Sequence, residues 1–149
     1  GMQQYLNDAW ENRAVNLPYE SAYEGLIMAS IIEKEATSNL EEMRMVSGIL
    51  WKRIDEGMLL QVDAPFLYID GKTSEQLRIN DLRTDGPYNT YTNLGLTPGP
   101  IANPGEDALR AALDPLDSLY YFYLHDTTGK IHYGITHDDH VNNKNRYLR

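Results

Sequence analysis

The stretch Met28-Ala29-Ser30-Ile31-Ile32-Glu33-Lys34-Glu35-Ala36 reads as the end of an apolar helix that carries a carboxylate where a methyl group belongs. At about 100° per residue, Met28, Ile31, Ile32 and Glu35 fall on one face, and Glu33 points almost the opposite way, among ordinary solvated charges. Two glutamates two positions apart are therefore expected to meet different surroundings. Glu35 belongs at the edge of the core, where loss of water disfavours the anion and raises the pKa. A carboxyl still protonated near neutrality is what a general acid needs. The alternative reading is a surface helix whose end carries Glu-Lys-Glu.

Outward from this stretch the chain is punctuated clearly. Gln3 to Arg13 is polar, with Tyr5, Leu6 and Trp10 spaced along one side of a short helix. Leu17-Pro18 breaks it. Ser21, with Glu24 three residues on, forms a capping-box pattern that predicts a helix over 22–36. Ser38-Asn39-Leu40-Glu41 repeats the pattern and opens a second helix, with Met43, Val46, Leu50, Trp51 and Ile54 at helical spacing and Gly57 as its stop. From Met58 to Ile69 the chain reads as extended structure interrupted by Pro65, with Asp70-Gly71-Lys72 as a turn. Thr84 to Gly105 is rich in Gly, Pro, Asn and Thr and predicts a long irregular loop, a feature that is usually functional in a compact domain. Asn103-Pro104-Gly105-Glu106 supplies an N-cap, a first-turn proline and an acidic first turn for a helix carrying Leu109, Ala112 and Leu113. Leu119–Leu124 and Ile131–Ile135 flank Asp126-Thr127-Thr128-Gly129 as a hairpin, and His137 to Leu148 is a polar, helical tail. Helices first and a short sheet later predict an α+β domain, with N-terminal helices packed on a small antiparallel sheet and the long loop forming a cleft.

Composition limits what such a domain can bind. The 149 residues are enough for one domain with a core of its own. A net charge of −9 and a pI near 4.8 argue against nucleic acid, whose binding rests on neutralising phosphates with Lys and Arg. An uncharged or zwitterionic substrate fits better. The absence of cysteine excludes disulfides and thiolate metal sites. No apolar run reaches membrane-spanning length, and no signal peptide opens the chain. Gly1 ahead of Met2 reads as an added residue in front of an excised domain, so any membrane anchor is expected outside residues 1–149.

A second candidate group comprises Gln61, Asp63 and the loop residues Tyr88, Asn89, Thr90 and Tyr91. In an extended segment Gln61 and Asp63 project from the same face. Amide, carboxylate, hydroxyl and aromatic groups together suit sugar recognition, although Tyr and Thr are also ordinary strand and turn residues. His137-Asp138-Asp139-His140, with His132, raises the question of a metal. The two aspartates would point to other faces of a helix, and no second motif completes a coordination set. Leu96-Thr97-Pro98-Gly99-Pro100 lacks the lysine and following helix of a phosphate loop, and no Gly-x-Ser-x-Gly elbow occurs. Nothing favours a cofactor. Carboxylate chemistry on a sugar is the best of the catalytic options.

Four blocks occur in order: Ala29–Glu35, Gly57–Asp63, Tyr88–Tyr91 and Gly95–Gly105. Together they resemble the catalytic domain of the YceG-like (MltG) family of endolytic murein transglycosylases, from about Trp10 to His140. The resemblance implies cleavage of the β-1,4 bond between N-acetylmuramic acid and N-acetylglucosamine, leaving a 1,6-anhydro end. It implies a bacterial envelope protein with an upstream membrane anchor and LysM-like domain, and the cell-wall synthesis machinery as a partner. It puts the catalytic glutamate at Glu35, in agreement with the helical-face argument. One departure stands out: Asp63 is followed by Ala64-Pro65-Phe66, where the family usually has Asp-Pro-Thr. An aminodeoxychorismate lyase label attached to some members would need pyridoxal phosphate on a lysine, and no lysine here is marked for it. Two other readings remain at this level. One is a hydrolase using Glu35 and Asp63; the other is a glycan-binding module without activity.

Overall fold

Fourteen residues from Ala22 to Glu35 form α1, opened by Ser21, whose side chain accepts from the Glu24 N–H at 3.3 Å. The computed structural model describes Gln4, residues 21–36 and residues 39–148, and the helix expected over Gln3–Arg13 lies outside them apart from Gln4. α1 is enclosed more fully than a one-face stripe implies. Met28, Ala29, Ser30, Ile31 and Ile32 are all without exposure, because α2 (Leu40–Asp55) and α5 (Glu106–Leu113) pack against it. The one polar group in this run is satisfied internally: the Ser30 hydroxyl donates to Ile27 O at 2.6 Å and accepts from Ile101 N–H at 3.0 Å. That second bond ties the long loop to the central helix.

α2 begins one residue later than its first capping signal. Asn39 accepts from the Glu42 N–H at 2.8 Å, so of two overlapping patterns the Asn39…Glu42 one is used. α2 approaches the chain after α5 so closely that only glycine fits at position 48: a Cβ there would lie 1.9 Å from Leu116 O. The indole N–H of Trp51 donates to Ala112 O at 2.9 Å, fixing α2 to α5 as well.

The segment after Gly57 corrects the expectation of extended structure up to Ile69. Residues 58–63 carry no regular element, but Ala64–Asp70 is a helix, α3. Pro65 sits in its first turn, where no N–H is needed, and Gly71 closes it at φ 69° with its N–H on Leu67 O. Leu67, Tyr68 and Ile69 are 44–53% exposed, so this helix shows apolar residues to solvent as well as to the core and leaves no amphipathic period to read. A 3-10 turn (Ser74–Gln76) and the short α4 (Ile79–Arg83) follow, and the Lys72–Asp81 ion pair at 2.7 Å joins the end of α3 to α4.

Residues 84–105 form the long irregular loop, as its composition predicts. α5 then starts at Glu106 with Gly105 as its N-cap, later than the Asn103 signal. The reason is Glu33. Its carboxylate accepts from the Gly105 N–H at 2.6 Å and places negative charge at the helix N-terminus, so Glu33 is half-buried and engaged rather than an ordinary solvated charge. β1 (Phe122–His125) and β2 (Ile131–Gly134) pair antiparallel, with Tyr123 opposite Tyr133, and α6 (His137–Tyr147) packs on both. Thr136 and Asp139 form a reciprocal capping box at the start of α6. The architecture is α+β.

Arg53 joins the helical layer to the hairpin. It is 6% exposed and donates to Tyr121 O at 2.7 Å, Leu60 O at 2.9 Å and Leu59 O at 3.2 Å, with its guanidinium 4.8 Å from the Phe122 ring centroid. A lysine there has one compact head in place of a planar fork. Arg53→Lys is expected to lower the unfolding free energy by about 3 kcal/mol, roughly two charge-assisted bonds lost. Urea titration monitored by circular dichroism checks this through a lower midpoint at unchanged slope.

Candidate active site

Glu35 is the last residue of α1, and its carboxyl is met from across the chain. The Tyr123 O–H donates to Oε1 at 2.6 Å, a bond spanning 88 positions. Asp63, at the N-cap of α3, contributes negative charge nearby and accepts from the Tyr91 O–H at 2.5 Å. Crowding by protein raises the Glu35 pKa from 4.5 to about 7; the Tyr123 bond works against that rise and the charge of Asp63 adds to it. Glu35 is half-buried as a residue, with its carboxyl surrounded by protein. This is the environment the helical-face argument predicts. Burial and the carboxylates of Asp63 and Glu35 push the Tyr91 phenol far above its usual range, so it stays a donor.

The loop is held against residues 61–62 by a short backbone ladder. Gln61 N–H donates to Thr90 O at 3.2 Å, Val62 N–H to Thr90 Oγ1 at 3.0 Å, and that hydroxyl donates to Val62 O at 3.1 Å. Gln61 has φ +54°, the left-handed region, so the pleat argument that put Gln61 and Asp63 on one strand face does not describe this segment. Gln61 is exposed beside the half-buried Asp63.

The four loop residues split into two pairs. Asn89 and Thr90 are 4% and 2% exposed. The Asn89 amide donates to Leu82 O and Thr84 O at 3.0 and 2.8 Å while its Oδ1 accepts from Tyr91 N–H at 2.8 Å. Their polar groups shape the loop. Tyr88 and Tyr91 are half-buried and face two different spaces. Tyr91 meets Asp63 and lies 6.2 Å from the Phe66 ring. Tyr88 packs 5.6 Å from Tyr68 and helps wall a cavity of about 710 Å³, with Pro65, Phe66, Ile69, Lys72 and Asp81 around it; Glu35 is not in its wall.

The histidines of the C-terminal region serve the fold. His132 meets Asp126 at 2.8 Å and stacks on Tyr147 at 3.6 Å, and His140 stacks on Phe122 at 5.1 Å. Burial first, then the positive charges of Lys144, Arg53 and His137, pull His140 down to about 4. Among the described residues no group of three or more His, Asp or Glu is placed to hold a metal ion, and no helix is long and apolar enough to cross a membrane. Two residues of the site escaped the sequence reading. Tyr123 is one of several aromatics in its strand, and Arg53 looks like any charge near a helix end. Only the tertiary contacts single them out.

A family model described as the YceG-like family matches residues 1–146. The chain belongs to the YceG-like family. It is 39% identical over 128 residues to an endolytic murein transglycosylase of Bacillus subtilis (strain 168), covering 86% of this chain and 35% of that protein. It is 32% identical over 124 residues to an endolytic murein transglycosylase of Streptococcus pneumoniae serotype 2, covering 79% of this chain and 22% of that protein. The chain thus spans about a third or less of these relatives. Among solved structures, a yceG-like protein from Listeria monocytogenes superposes with a TM-score of 0.80 at 37% identity, over 95% of this chain and 44% of that one. The YceG-like fold therefore accounts for the helices, the loop and the hairpin together.

The raised carboxyl has a consequence for stability that needs no substrate. Glu35 binds its proton more tightly in the folded chain than in the unfolded one. Between pH about 4.5 and about 7 the folded state holds more protons, so stability falls as pH rises through that window and the full cost is present above it. Glu35→Gln removes the titrating group. The variant is expected to match the wild type in stability near pH 4 and to exceed it by up to about 3 kcal/mol near pH 8, read from urea denaturation at both pH values.

Proposed function

We propose that residues 1–149 form the catalytic domain of an endolytic lytic transglycosylase acting on peptidoglycan, with Glu35 as its single acid and base. The observation that carries this is a desolvated carboxyl on a half-buried residue at the end of a buried helix, held near neutral pKa and oriented by a phenol. Such a group is protonated often enough to give a proton and basic enough to take one back.

The bond cut is the β-1,4 link from N-acetylmuramic acid to N-acetylglucosamine. Protonated Glu35 delivers its proton to the glycosidic oxygen as the bond to the muramic anomeric carbon breaks. The same sugar's C6 hydroxyl captures the oxocarbenium-like centre, and anionic Glu35 removes that hydroxyl's proton. A 1,6-anhydro ring closes and no water is consumed. Acid–base assistance of this kind supplies roughly 10²–10⁴-fold, and the intramolecular nucleophile adds an orientation advantage. The negative charge of Asp63 faces the cationic centre as it forms. The exposed amide of Gln61 and the phenol of Tyr91 beside Asp63 are assigned to substrate contact, and the separate cavity walled by Phe66, Ile69 and Tyr88 offers apolar surface on which a pyranose packs. Asn89 and Thr90 act by holding that loop in shape. A hydrolase would require Asp63 to attack or to activate water, but one of its oxygens is already engaged by Tyr91.

In this reading the domain works in the cell envelope, carried by an upstream anchor and LysM-like domain and placed beside the synthesis machinery to end growing strands. Digestion of purified peptidoglycan, followed by mass spectrometry, tests the chemistry. The wild type is expected to yield 1,6-anhydromuramic ends, and Glu35→Gln to lose cleavage by at least 10³-fold while still folding and sedimenting with the glycan. Products one water heavier would replace the transglycosylase with a hydrolase; intact strands despite binding would leave only a glycan-binding module.

A further inference from the structure

We propose that Tyr123 is a positioning residue for this acid–base cycle, reserving Oε1 of Glu35 as a fixed acceptor so that Oε2 alone releases and recovers the proton. This rests on the assignment of Glu35 above and adds which oxygen does the work. The geometry comes from the strand. β1 crosses the corner between α1 and α2, and two of its alternate residues each meet a glutamate there: Tyr123 meets Glu35 at 2.6 Å and His125 meets Glu42 at 3.4 Å. Side chains two apart on a strand share a face, so the same alternation that gives the hairpin its register aims the phenol at the carboxyl. The Tyr123 ring packs against the core and lies edge-on to His125 at 6.3 Å, which holds it in place.

Of the groups facing this pair, Glu35 and Tyr91 favour keeping the proton on the phenol, while the positive charge of Arg53 works against it and is outweighed. Asp63 and Tyr91 approach from the start of α3 and from the loop, and Arg53 from α2. Burial and the charge of Glu35 hold the Tyr123 phenol well above its ordinary range, so it donates in both halves of the cycle. When Oε2 gives its proton to the glycosidic oxygen, the bond from Tyr123 to Oε1 strengthens on the new carboxylate. When Oε2 takes the C6 hydroxyl proton, that bond weakens again. The phenolic proton never leaves its oxygen, and the carboxyl cannot rotate to exchange its two oxygens between steps.

Tyr123→Phe keeps the ring and removes only the donor. Carboxyl carbon NMR on glutamate-labelled protein, with the Glu35 signal assigned by its loss in Glu35→Gln, reads the titration directly. The expected result is an upward shift of about one pH unit in Tyr123→Phe, with a downward shift in Asp63→Asn. On peptidoglycan, Tyr123→Phe is expected to lose about 10- to 100-fold in kcat with KM little changed, and its alkaline limb should move upward with the titration. An unmoved Glu35 titration, or a moved titration with unchanged kcat, overturns the proposal. Activity retained by Glu35→Gln would instead defeat the assignment of the acid, while the titration would still report the hydrogen bond.

Discussion

Arg53 carries a positive charge into the interior and satisfies it on three backbone carbonyls, two from the segment just after α2 and one 68 positions on. Leu59 and Leu60 lead directly into Gln61 and Asp63, and Tyr121 leads into Tyr123. The two arms that bring groups to Glu35 are therefore both measured from one point on α2. A planar guanidinium suits this task because its donors diverge in fixed directions, whereas an ion pair would have satisfied the charge without fixing the chain. Taking the cation out of water is offset by the strength that carbonyl bonds gain in a low-dielectric setting. This joint adds to the Thr90 ladder that holds the Asp63 segment and to the hairpin register that places Tyr123.

The central helix supplies the other half of the arrangement. α1 is covered by α2 and α5, and at its C-terminal end burial falls off so that Glu35 is half-buried. Glu33 and Glu35 divide the roles. The first is neutralised by a helix N-terminus across the interface, and the second is left beside another carboxylate. Partial negative charge at the end of α1 itself works in the same direction as Asp63. Folding thus proceeds in spite of this site, and the stability that keeps it intact comes from Met28, Ile31, Leu50, Leu109 and their neighbours.

What could be read beforehand follows from where the information lies. The 3.6-residue period around Met28–Glu35 is local, and so are the cap at Ser21 and the hairpin around Asp126–Gly129; these were legible, and so was the α+β order. α3 was not, because Leu67, Tyr68 and Ile69 lie open to solvent and erase the contrast between faces that periodicity needs. α2 begins on the cap that Asn39 makes with Glu42, and α5 begins after Gly105, whose N–H is held by Glu33, 72 positions away. Among the site residues, Glu35 announced itself by breaking a pattern. Asn89 and Thr90 were chosen for their chemistry, but their hydrogen bonds close within the fold. Tyr123 and Arg53 broke no pattern at all.

The bond between residues 35 and 123 also bears on how the domain comes into being. Its two partners are separated by most of the described chain, and such contacts are slow to close. While the chain is being synthesised, Glu35 is made long before the strand that orients it. A chain made only part-way therefore carries the Glu35 carboxyl without the phenol that orients it. The orientation of the Glu35 carboxyl is thus complete only once the hairpin has docked, a step that the local contacts of α1 cannot supply.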